Sequence, residues 1–221
     1  MAGGWEERRR ANEATTLALL VSAVLGVASN VVALLAAGPY YMLFLVTYSD
    51  TAVAFFGAYF KVQQLVVMTT NGLVQGTLSI MRYNFKAGLR DRLGATLRVS
   101  LAAAVALMLE GTLLVAGLPG PILTLFAASD QMRSFGEGAM RVMAASFVFG
   151  GVSTVVATYE QATDRVARSM VIQLLRQGAL LVPVMWALDL TMGMGGLWLA
   201  FPVTEVAVCA LSLAMELRSR R

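Results

Sequence analysis

Two acidic residues, Glu110 and Glu205, stand where an acid is expensive. Each lies about eleven residues into a long apolar run, which at 1.5 Å of rise per residue puts a carboxylate near the middle of a bilayer. Inserting an acid there costs on the order of 2.5–3.5 kcal/mol, so it must face protein or water rather than lipid. A carboxylate so placed can exchange a proton or a cation, or it can be a paired or protonated strut between helices. Glu205 has the stronger functional case. Pro202, three residues before it, removes the backbone hydrogen bond to Trp198, leaving a carbonyl free within one turn of the carboxylate. That oxygen could help coordinate a cation.

Other chemistry is excluded by what is missing. The chain has no histidine, so imidazole-based metal sites and general bases are absent. Cys209 is the only cysteine, which rules out an internal disulfide or a cysteine zinc cluster. No Gly-rich Lys-Ser/Thr phosphate loop is present, so ATP hydrolysis in this chain is not a driver of anything it moves. An enzyme is not expected, nor a cofactor beyond H⁺ or Na⁺ as a coupling ion.

The elements that position these residues follow from composition. The chain is 58% hydrophobic and 14% charged, against roughly half apolar and a quarter charged in soluble domains. No charge occurs from Ala14 to Ser49 or from Val62 to Met81, and about 20 such residues cross a bilayer. We read six spans, at 17–48, 53–80, 99–118, 139–159, 169–188 and 194–215. A cytoplasmic tail (1–16) precedes them and a basic cytoplasmic tail (216–221) follows. Gly38-Pro39 suggests a bend in the first span. Leu118-Pro119-Gly120-Pro121 ends the third, and Ile122–Ala128 after it is too short to cross. Gly193, Gly195 and Gly196 break the chain before the last.

Basic residues sort by side. Arg8–Arg10, Arg82, Lys86, Arg90, Arg92, Arg98, Arg165, Arg168, Arg218, Arg220 and Arg221 fall on one side, while Arg133 and Arg141 fall on the other. This asymmetry assigns the pI near 9.6 to cytoplasmic loops rather than to nucleic acid, and places both termini in the cytoplasm of a multi-pass cell-membrane protein. Arg8–Arg10 before an apolar run also resembles a signal peptide, but the run far exceeds the 7–15 residues such a region uses. The 82–98 loop is also a contact for anionic lipid.

Polar side chains inside the spans carry a second expectation. Gln64, Asn71 and Gln75 recur at i, i+7, i+11 and share one helix face with Gln63 nearby. Such amides either lock a neighbouring helix or line a cavity, and Gln173 and Gln177 (i, i+4) invite the same two readings. Lys61 and Arg176 lie about two turns in from opposite faces and can snorkel to headgroups as anchors. The thirteen methionines suit an adaptable binding wall or ordinary span filling.

Four stretches give the chain a family likeness: Gly57-Ala58-Tyr59-Phe60-Lys61-Val62-Gln63-Gln64; Met68 through Gly76, including Gly72, Gln75 and Gly76, with Tyr83-Asn84; Leu174-Leu175-Arg176-Gln177; and Gly196-Leu197-Trp198-Leu199-Ala200-Phe201-Pro202 ending at Glu205. In order and spacing they resemble the C-terminal six-helix lobe of multidrug and toxic compound extrusion (MATE) transporters, in the bacterial multidrug-export branch. The resemblance runs from about Gly26 to the end. It implies one lobe of the all-α fold of the MOP superfamily, two such parallel lobes around a central cavity, and export of cationic or amphipathic small molecules against H⁺ or Na⁺ entry.

Departures from the family pattern shape the expectations. Met68-Thr69 stands where Met-Pro is usual, and Tyr83-Asn84-Phe85-Lys86-Ala87 where Tyr-Asn-Tyr-Gly-Ala is usual. Ala28 and Met42 replace a common proline and asparagine, and Ala14–Ser49 lacks the first-helix carboxylate of several branches. A whole transporter of this kind has twelve spans, so a homodimer or a second transporter half is expected beside this one. A non-transporting accessory or truncated module, and a lipid-linked saccharide flippase, are the alternatives.

Overall fold

The computed structural model describes residues 48–219, which belong to the second of two units, Met1–Phe44 and Leu45–Arg221. Every regular element among the described residues is a helix: α1 (Asp50–Lys86), α2 (Arg90–Gly117), α3 (Pro119–Leu125), α4 (Asp130–Ala144), α5 (Phe147–Ala162), α6 (Val166–Leu174), a π-helical turn (Leu175–Ala179), α7 (Leu181–Met192) and α8 (Met194–Ser219). Four stretches among them are long and apolar enough to cross a membrane, namely Asp50–Lys86, Arg90–Gly117, Asp130–Ala162 and Met194–Arg218. The chain is an all-α, multi-pass membrane bundle.

Local sequence explains the boundaries. Ser49 caps α1, its side chain accepting from the Ala52 N–H at 3.1 Å, and Asp50 adds a negative charge to the first turn. Gly88, at φ 71°, turns the chain into α2. Leu118 ends α2, and Pro119 opens the seven-residue α3, too short to cross. Ser129 caps α4 through the Met132 N–H.

The expected spans at 53–80, 99–118, 139–159 and 194–215 fall on α1, on α2, across α4–α5 and on α8. The stretch expected at 169–188 is instead divided, with α6 and α7 joined by the π turn and Gly178 at non-helical angles. Apart from Tyr48, the first span, with Ala28 and Met42, lies outside the described residues. One boundary is corrected. Only Gly193 ends a helix; Gly195 and Gly196 lie inside α8, where a Cβ on Gly196 would stand 2.2 Å from the Leu188 carbonyl oxygen. The expected tail at 216 begins inside α8, which continues to Ser219 with Glu216 buried.

α5 is the centre of the bundle. Val155 and Ala162 pack with Val74 and Met81 of α1 and Leu93, Leu97 and Ala104 of α2. On its other side Val156 and Ala157 pack with Ile172 of α6 and Val208 of α8. Its small residues permit this: a Cβ on Gly151 would lie 2.7 Å from the Met108 side chain. Small side chains are what let helices approach where no hydrophobic force drives them together.

Candidate functional site: an intramembrane ion pair

Near the middle of α8, Pro202 interrupts the backbone ladder one turn before Glu205. Facing it, the π turn presents Arg176. Its Nε donates to Glu205 Oε1 at 2.8 Å, and its terminal nitrogen donates to Thr154 Oγ1 on α5. The Thr154 hydroxyl donates in turn to the Gly150 carbonyl at 2.8 Å, so its oxygen is left to accept from the guanidinium. Gly150 makes room for the pair, because a Cβ there would stand 2.7 Å from Arg176 and 3.3 Å from the Glu205 carboxylate. The two side chains are only 20% and 15% exposed, and Glu205 Oε2 is buried with no hydrogen-bond partner.

Arg176 therefore does not snorkel to headgroups as expected. An acid in reach at the same depth offers it a partner that a bare lipid-facing helix would not. Lys61 is exposed on α1 and lines a cleft of about 510 Å³ with Asp50, Thr51, Ser129 and Met132. The second candidate carboxylate, Glu110, is exposed on α2, with no ion pair among the described residues.

Gln64, Asn71 and Gln75 are exposed along α1, and no hydrogen bond among the described residues ties them to another helix. Gln173 is exposed on α6; Gln177 lies in the π turn, and its side chain is outside the described set. Among the motif residues, Asn84 is buried and donates to Thr96 Oγ1 at 3.4 Å, tying α1 to α2, whereas Tyr83, Gly72 and Gly76 are exposed. Trp198 packs edge-on to Phe55 at 5.1 Å between ring centres and lies parallel to Phe135 at 6.3 Å. It is a packing residue of the α1–α4–α8 core.

One cluster was missed in the sequence. At the basic end of the bundle Glu160, fully buried on α5, faces Arg165 at 3.7 Å and Arg168 at 3.8 Å, while Arg165 also faces Glu216 of α8 at 3.8 Å. Lys86, at the end of α1, pairs with Asp164 of the same turn. In the sequence Arg165 and Arg168 show only as positive loop charges. The available signal was an acid, Glu160, at the very end of an apolar run with two arginines just beyond it. Among the described residues no three His, Cys, Asp or Glu side chains converge on a metal-sized space.

Comparison with known proteins follows the same lines. The MatE family model matches residues 39–187. A multidrug export protein MepA of Staphylococcus haemolyticus is 29% identical over 183 residues, covering 80% of this chain and 39% of that protein. A MepA of Staphylococcus aureus (strain N315) is 24% identical over 170 residues, covering 77% and 37%. The chain thus spans about two fifths of the curated relatives it matches. A crystal structure of a MATE protein in complex with MaL6 superposes with a TM-score of 0.74 at 13% identity, covering 81% of this chain and 41% of that one. An outward-facing multidrug resistance MATE transporter of the MOP superfamily superposes at 0.73 and 15% identity, covering 80% and 42%. With a family model matched over two thirds of its length and the same fold over four fifths, this chain belongs to the MatE family.

Proposed function

We propose that this chain supplies one lobe of a cation-coupled exporter of small organic compounds, with H⁺ or Na⁺ entering as substrate leaves. Family membership supports export, since the MepA relatives are multidrug export proteins. The coupling reading rests on one observation: Glu205 Oε2 is buried beside its paired Oε1 with no hydrogen-bond partner. The oxygen that Arg176 does not hold is open to a coupling ion, and the carbonyl freed by Pro202 adds an oxygen within a turn. Loading neutralises Glu205 and weakens its hold on Arg176, loosening α8 from α5 and the π turn. That is a differential contact of the kind alternating access needs.

Gln64, Asn71 and Gln75, exposed along α1, are assigned to a cavity wall completed by a second lobe, either another copy or a different half. Parallel lobes allow this without inverting either, and the positive-inside asymmetry supports cytoplasmic termini for both. The substrates are small cationic or amphipathic molecules. Thr69 and Lys86, where the family usually has proline and glycine, favour a second reading, a packing subunit that does not transport. Proteoliposomes loaded with a fluorescent organic cation distinguish the two. The exporter reading expects efflux under an imposed H⁺ or Na⁺ gradient and its loss in Glu205→Gln. Gradient-driven efflux unchanged in that variant contradicts the role of Glu205, and no efflux by the wild-type particle supports the packing subunit.

A further inference from the structure

At the basic end of the bundle, the end of α1, the start of α2 and the turn between α5 and α6 enclose a cleft of about 310 Å³. Phe85, Arg90, Leu93, Gly94, Tyr159 and Arg165 line it. The two guanidinium groups come from elements far apart in sequence. Arg165 is fixed in place by Glu160 and Glu216, whereas Arg90 has no ion pair among the described residues. Asp164 is occupied by Lys86, and Glu160 by Arg165 and Arg168, so Asp91 is the one acid left beside Arg82, Arg90 and Arg92 among the described residues.

The lining combines the two guanidinium groups with the apolar or aromatic side chains of Phe85, Leu93 and Tyr159. Its volume is at the small end of ligand sites, which run from about 300 to 1,000 Å³, so it suits a headgroup rather than a drug-sized molecule. A basic pocket between spans at the positively charged membrane face is the setting in which anionic headgroups bind. We propose that this cleft binds a phosphoryl anion, supplied at this depth by the headgroup of an anionic phospholipid, with Arg90 its principal cation and the aromatic wall beside the glycerol and upper acyl chain. The site is independent of the Arg176–Glu205 pair.

Native mass spectrometry of the purified protein equilibrated with equal phosphatidylglycerol and phosphatidylcholine tests this. The wild type is expected to retain phosphatidylglycerol preferentially. Arg90→Gln is expected to lower that preference about fivefold, the scale of one arginine at an anionic surface. Gly94→Leu is expected to lower it equally without altering charge, because a side chain there fills the cleft and its Cβ meets nothing within 4 Å. Arg92→Gln removes the same charge outside the cleft and should leave the preference within about twofold. Saturable binding of inorganic phosphate with no lipid preference, lost in Arg90→Gln and Gly94→Leu, assigns the site to a soluble phosphoryl compound instead. A wild type that binds neither overturns the proposal, as does an Arg92→Gln loss equal to that of Arg90→Gln with Gly94→Leu unaffected.

Discussion

Arg176 Nε lies 2.8 Å from Glu205 Oε1, and the same guanidinium reaches Thr154, so one side chain ties the π turn to both α5 and α8 inside the membrane. The energetic consequence is asymmetric. Two charges brought out of water recover their desolvation cost only together, and removing one strands the other. Arg176→Leu alone should therefore destabilise the protein by about 3–5 kcal/mol, whereas Arg176→Leu with Glu205→Leu should recover most of that loss. Thermal unfolding in detergent of both single variants and the double variant checks this. If the pair also serves coupling, the recovered double variant remains inactive.

Gly150 sets the geometry of that pair. Gly150→Ala places a methyl group 2.7 Å from the guanidinium and should cost about 1–3 kcal/mol by displacing it. Gly138→Ala, on α4 with nothing within 4 Å of its Cβ, is the matched control and should be close to neutral. Comparing the two melting temperatures separates steric displacement from general intolerance of a side chain.

At Gly196 the neighbour is backbone, not a flexible side chain. A Cβ there would sit 2.2 Å from the Leu188 oxygen, so Gly196→Ala must push α7 from α8. We expect a loss larger than that of Gly150→Ala, above about 3 kcal/mol, read as lower expression and a lower melting temperature.

The stripe on α1 makes a separate prediction. With Cys209→Ser removing the only native thiol, single cysteines at Gln64, Asn71 and Gln75 should react with a membrane-impermeant maleimide if they line a water-filled cavity. A cysteine in place of the buried Val208 should not react. Equal silence at all four positions would mean that the stripe packs against protein or lipid.

Much of the bundle was legible because its signals are one-dimensional. Charge-free runs and Pro119 locate α1, α2 and α3, whatever packs beside them, although α1 runs past Arg82 to Lys86 and α2 begins at Arg90, ahead of its charge-free stretch. Gly196 was misread because glycine in a span breaks a helix in one context and permits close packing in another, and only the Leu188 backbone decides between them. Arg176 was misread for a similar reason. Counted from the ends of their spans, Arg176 and Glu205 lie roughly 10 and 15 Å from the same face at 1.5 Å per residue. A lone base and a lone acid at similar depth were a visible hint, but the π turn that aims one at the other has no local sequence mark. Glu160 was hidden by the same kind of limit, since its partners lie across a turn and on α8.

The coupling role of Glu205 is tested most directly by linkage. If a cation and a substrate compete through this carboxylate, substrate affinity must depend on that cation's concentration, and reciprocally. Substrate binding to the assembled two-lobed particle, titrated across pH and Na⁺ concentration for wild type and Glu205→Gln, gives the answer. We predict that wild-type affinity weakens as H⁺ or Na⁺ rises and that Glu205→Gln binds with an affinity indifferent to both. The same cation dependence in both proteins would show that coupling resides elsewhere and that the Arg176–Glu205 pair only holds the helices together.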